Sequence, residues 1–264
     1  MANKPTLLPR EHGAYAELFF PLLTGILLAA PTLPALALGA ASVALFLANE
    51  PVAILLGVRG QRLLETQGAR ARTRAGVLVG LGFLLGILGL AGAGSAVWPE
   101  ILLPVLTGAL LVPLVLMGKQ KSLVGEFLVL SAFSTLLLPL AAASGADPGR
   151  AILATAVWWI SFAMGTLEVH AIKARSKGTR RSQWTKWGSP LVSGITVLAA
   201  LALSLGFLNS AAAPFLVRSA VAVLIPAIAT LILSARGVDP KHLKRVGWTL
   251  VVANTGALLV LLLG

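Results

Sequence analysis

The residues able to do chemistry in this chain are few, and most stand where an apolar sequence should not carry them. Glu17, Glu50, Glu126 and Glu168 fall inside or at the edges of apolar runs, with Asn49 beside Glu50 and His170 two places after Glu168. Glu11 and His12 precede the first run. An ionisable group in hydrocarbon costs about 2.5–3.5 kcal/mol on insertion scales, so each is a functional candidate, either paired or facing a polar cavity. Basic residues lie close by: Lys119 and Lys121 just before Glu126, and Lys173 and Arg175 just after His170. Such a set can exchange protons, hold a small solute, or neutralise a phosphate. Glu168 and His170 are two apart, so they point to different helix faces and do not form a two-ligand metal pair.

The elements that must position these groups follow from composition. The chain has 264 residues, 57% hydrophobic and 11% charged, with no cysteine; its mean hydropathy is +0.91. Soluble domains carry about 25% charged residues, so a soluble enzyme, a disordered chain and a disulfide scaffold are all excluded. Nine apolar segments follow one another: 14–30, 34–58, 75–95, 99–118, 123–144, 151–172, 189–209, 214–235 and 246–264. Backbone groups in lipid must be satisfied within the segment, and no alternating polarity is present, so these segments are predicted to be helices. The fold expected is all-α, a single transmembrane domain over residues 1–264. Only Pro31, Thr32 and Leu33 separate the first two segments, which leaves either two spans or one bent re-entrant element. Residues 1–10 have no apolar core and no convincing cleavage site, so the first helix is expected to be retained.

The charge of +12 gains its meaning from position. Of 21 basic residues, all but Arg150 and Arg218 fall before the first segment or between segments 2 and 3, 4 and 5, 6 and 7, and 8 and 9. These are alternate connections. The positive-inside bias then puts the N-terminus in the cytoplasm and the C-terminus outside, across the cell membrane. The same basic connections could bind anionic headgroups or a phosphorylated substrate. Trp184 and Trp187 around Lys186 suit an interfacial anchor. Nucleic acid is not an expected partner; membrane lipids are.

With that orientation every membrane-embedded acid sits in the cytoplasmic half. The expectation is a cytoplasm-facing cavity between segments 1, 2, 5 and 6, lined by Asn49, Glu50, Glu126, Glu168 and His170. Its alternative is that each group snorkels or serves a neighbour's backbone. Gly76, Gly80, Gly82 and Gly86 are read as close-packing positions. There is no Walker loop and no nucleophile elbow, and three histidines on separate segments make no zinc or haem set.

Segments 2 and 6 are alike in plan. One ends in Asn49-Glu50, the other in Glu168-Val169-His170, and both open into basic sequence. This pattern resembles, remotely, the UbiA superfamily of intramembrane prenyltransferases. There an Asn-Asp-x-x-Asp-x-x-x-Asp motif and a second aspartate motif hold magnesium and a prenyl diphosphate. Asn49-Glu50 matches the start of the first motif, but its later acidic positions are Ala53 and Gly57. Gly118-Lys119-Gln120-Lys121 resembles that superfamily's basic loop before helix 5. The resemblance implies a helical bundle, Mg²⁺ between Glu50 and Glu168, and a prenyl diphosphate or other phosphorylated lipid as ligand. If the chain is an enzyme, it implies a prenyltransferase-like transferase. With so few carboxylates, Lys119, Lys121, Lys173 and Arg175 would take over part of the metal's work.

Pro9-Arg10-Glu11-His12-Gly13-Ala14, Asn49-Glu50-Pro51 and Lys173-Ala174-Arg175 resemble more closely the YwiC-like family of bacterial membrane proteins, over the whole chain. Three function classes follow: a lipid- or isoprenoid-handling protein, a proton-coupled or small-solute transporter, and a non-catalytic membrane scaffold. The polar groups stop short of the outer half, where only Asn254, Thr255 and scattered serines and threonines could continue a path, which weighs against the transporter.

Overall fold

The computed structural model describes residues 7–9, 12–176, 183–207 and 213–263. These form ten α-helices: α1 His12–Leu27, α2 Leu33–Leu55, α3 Gln61–Ala93, α4 Val97–Leu116, α5 Leu123–Thr135, α6 Leu137–Ala143, α7 Pro148–Ser176, α8 Gln183–Phe207, α9 Pro214–Ala235 and α10 Leu243–Leu263. Helices α5 and α6 are one apolar segment interrupted at Leu136. Pro139 lacks an N–H for the Thr135 carbonyl and its ring crowds that carbonyl, which accounts for the break.

The nine apolar segments are therefore nine helical stretches. Eight are long and apolar enough to cross a membrane, while Gly13–Leu27 is shorter. The first two segments form two separate helices, α1 and α2. Thr32 caps α2 by accepting from the Ala35 N–H and donates to the Ala143 carbonyl at 2.8 Å.

Three boundaries differ clearly from expectation, one being the start of α8 at Gln183 rather than 189. Helix α3 starts at Gln61, so Arg62, Arg70, Arg72 and Arg74 are helical rather than in a loop. The sequence 61–74 has no proline and abounds in helix formers; the real turn is short and hinges on Gly57 (φ 72°) and Gly60 (φ 95°). Helix α7 runs on to Ser176, carrying Lys173 and Arg175 in its last turn, where positive charge suits the helix dipole.

Helix α1 lies centrally, packed against α2, α5, α6, α7 and α10. The stacked rings of Phe20, Trp158 and Phe162 form its contact with α7, at centroid separations of 5.2 and 5.7 Å. Trp158 is fully buried and its Nε1–H donates to Thr24 Oγ1 at 2.9 Å. Helices α3, α4 and α8 present broad apolar faces outward, with Phe83, Ile87, Leu102, Val105 and Leu198 exposed. These are the surfaces lipid would cover.

The glycine reading needs correction. A Cβ on Gly82 would meet Leu45 Cγ at 2.7 Å, but one on Gly76 or Gly80 would meet nothing within 4 Å, and one on Gly86 would make ordinary contact. The close-packing glycines are Gly82 and Gly89 against Leu45 and Leu38 of α2, and Gly25 against the Leu137 backbone of α6. Spacing along α3 could not separate them, because only the face turned toward α2 is crowded.

Candidate functional site

The polar groups gather at the end of the bundle where α1, α3, α5, α8 and α10 begin and α2, α7 and α9 finish. They form three separate acid–cation pairs. Near the end of α2, buried Glu50 accepts from Arg59 Nη2 at 2.7 Å. Arg59 lies in the α2–α3 turn and reaches back along α2. Between α5 and α7, Glu126 Oε2 and His170 Nε2 are 2.8 Å apart, both half-buried. Near the end of α7, Glu168 is fully buried. Its Oε1 accepts from Arg175 Nη2 at 2.8 Å, and its Oε2 accepts from the Ser234 hydroxyl of α9. Glu168 and Arg175 are seven apart, two turns along one helix face.

This pairing has an electrostatic cause. A lone carboxylate withdrawn from water is strongly disfavoured, and a guanidinium supplying directed donors offsets much of that cost. The likeness between segments 2 and 6 therefore has a physical counterpart: each ends in a buried glutamate held by an arginine supplied by the following two turns or connection. Both arginines keep their Nε–H buried without a partner.

Helices α2 and α7 make no contact, and α1 and α6 pack against both, so Glu50 and Glu168 are held on different seams. Of the expected lining, only Glu126 and His170 meet directly. Asn49 is exposed, turned away from the buried face of α2 that carries Glu50, because adjacent helical residues point about 100° apart. Lys119, Lys121 and Lys173 are exposed at the same end. His12 begins α1, and its side chain lies outside the described residues, as do those of Trp184 and Lys186.

The donor set does not fit one magnesium ion between Glu50 and Glu168. Each carboxylate is engaged by its own arginine, and among the described residues no three His, Asp or Glu side chains gather as metal ligands. Mg²⁺ demands near-octahedral oxygen coordination, and two carboxylates on helices that do not touch, each already serving an arginine, do not supply it.

Two cavities bear on ligand size. One of about 20 Å³, lined by Glu100, Leu138, Ala142, Ala146, Pro148 and Ala151, is at the opposite end; it holds about one water. The other is an open groove of about 340 Å³ along α5, lined by Leu123, Val124, Phe127, Leu128 and Ser131. Trp159 borders it, its Nε1–H donating to Ser131 Oγ at 2.9 Å.

Sequence reasoning missed Arg59 and Ser234 as partners. Arg59 could be read only as one of several loop bases, and Ser234 reaches Glu168 from 66 residues away. Arg175 carried a usable signal, its helical spacing from Glu168.

With helices and no strand among its described residues, and eight candidate spans, the chain is an all-α polytopic integral membrane protein. The YwiC-like protein family model matches residues 8–142, and the chain belongs to that family. The match includes Pro9, Gly13 and Asn49-Glu50-Pro51 but stops before Lys173-Ala174-Arg175, so it supports the resemblance over the first part of the chain. Neither the curated proteins nor the solved structures gave a match.

Proposed function

We infer that this protein binds the phosphate-bearing head of a lipid, isoprenoid or otherwise, at the basic end of the bundle, with the apolar tail along α5. The carrying observation is the pair of buried, unpartnered Nε–H donors on Arg59 and Arg175. Each belongs to a guanidinium whose side chain is about a quarter exposed, 28% and 27%. A buried donor without an acceptor costs about 1–3 kcal/mol, and a phosphate oxygen is the acceptor a guanidinium matches best. The exposed lysines at the same end add positive potential. The α5 groove, at about 340 Å³, falls at the small end of the usual ligand range of about 300–1,000 Å³. The positive-inside bias supports a cytoplasmic setting for this end, with the ligand drawn from the inner leaflet. The isoprenoid option rests on the remote UbiA resemblance.

The test is a binding screen on purified protein in nanodiscs, with prenyl diphosphates and anionic phospholipids, with and without Mg²⁺. It is paired with lipidomics of a deletion strain. Saturable binding that weakens in Lys119→Gln with Lys121→Gln supports the reading. No binding by any phosphorylated lipid to intact protein sinks it.

A further inference from the structure

Hydroxyls in this bundle are usually self-satisfied. Ser42, Ser131, Thr155, Thr196, Ser219 and Thr230 each donate to the carbonyl four residues back. Among the described residues Ser134, Ser161, Ser189, Ser193 and Ser204 do not, and of these Ser189 and Ser193 stand one turn apart on α8. Both are fully buried, and neither Oγ has a partner. Among the described elements α8 packs only against α7 and α9, so these two side chains face the α7–α8–α9 seam. Ser234 of α9 bonds to Glu168, which puts this carboxylate at the α7–α9 contact that borders the seam.

Depth agrees. Glu168 is eight residues before the end of α7 and Ser189 six after the start of α8, counting to Ser176 and from Gln183. At about 1.5 Å per residue, two antiparallel neighbours then carry them within about one turn of each other. Ser193 is one turn deeper.

A fully buried carboxylate, one hydroxyl bonded to it and two hydroxyls with nothing to bond make an oxygen-rich site with a single negative charge. Divalent ions want more carboxylates. We propose that this seam binds a small monovalent cation, of the sodium type, through Glu168 and the hydroxyls of Ser234, Ser189 and Ser193, in exchange with the Arg175 guanidinium. Arg175 is suited to leave. It sits in the last turn of α7, is partly exposed, and one charged hydrogen bond holds it to Glu168. An inorganic cation taking its place keeps the buried charge balanced, and the hydroxyls gain the bonds they lack.

The experiment uses the full chain in zwitterionic nanodiscs, with radiolabelled sodium binding and thermal unfolding in sodium against choline chloride at equal ionic strength. Sodium is expected to bind saturably and stabilise; choline is not. Ser189→Ala with Ser193→Ala should weaken binding about tenfold, the size of one lost charge-assisted contact. Arg175→Gln should tighten it about tenfold by removing the competing cation, an outcome that a merely structural arginine would not give. Equal behaviour in sodium and choline overturns the proposal. So does a response to protons alone, or an Arg175→Gln protein whose sodium affinity is unchanged or weaker. That last arm stands even where the serine variant fails to fold.

Discussion

Glu126 of α5 and His170 of α7 stand 2.8 Å apart, and this contact joins the stretch matched by the family model to the stretch beyond it. The other two acid–cation pairs are closed within one helix or across one turn. The Glu126–His170 pair is the one among these three whose loss frees two distant parts of the chain from each other.

His170→Ala leaves Glu126 half-buried without its partner. We expect a loss of about 1–3 kcal/mol, read as a lower unfolding midpoint in detergent. A double-mutant cycle with Glu126→Gln should give a coupling of about 0.5–3 kcal/mol. Additive single effects would show that the contact contributes nothing.

Glu168→Ala strands Arg175 and should cost about 3–5 kcal/mol, the range for breaking a buried pair. Glu50→Ala should cost less, because Glu50 keeps some exposure where Glu168 has none. Chemical unfolding of the two variants side by side decides it; a reversed order would mean that burial does not govern these pairs.

Glycine substitutions should sort by helix face. Gly89→Ala drives a Cβ to 2.7 Å from Leu38 Cγ, and Gly25→Ala drives one to 2.8 Å from the Leu137 carbonyl. Each should cost about 1–3 kcal/mol, Gly25→Ala the more because backbone must move. Gly80→Ala meets open space and should be neutral or stabilising by up to about 1 kcal/mol. Uniform effects across the three in a thermal-shift series would contradict the packing described.

Thr24→Val removes the acceptor of the Trp158 indole N–H, and valine is close to isosteric with threonine. Expected are a loss of about 1–3 kcal/mol and a blue-shifted tryptophan emission. An unchanged spectrum with unchanged stability would show that this bond carries no weight.

Much of the fold was legible because membrane insertion is enforced locally. Each apolar run must satisfy its own backbone in lipid, so length and hydropathy alone marked nine helical stretches. The break at Leu136 and the long α3 were less visible. One depends on a proline three residues on. The other depends on polar helix formers that read equally well as a basic loop.

The candidate site divides along the same line. Composition and residue type by themselves determined that the chain is an integral membrane helical protein and that Glu50, Glu126 and Glu168 need compensation, since the cost of charge in hydrocarbon belongs to the residue. Which group compensates each one was decided only by tertiary structure. Arg59 folds back across a turn, His170 arrives from 44 residues away, and Ser234 comes from another helix. Helix packing sets which faces meet, and a sequence period gives a face without naming its neighbour. For that reason Glu50 and Glu168, alike in sequence, lie on separate seams, each held by its own arginine.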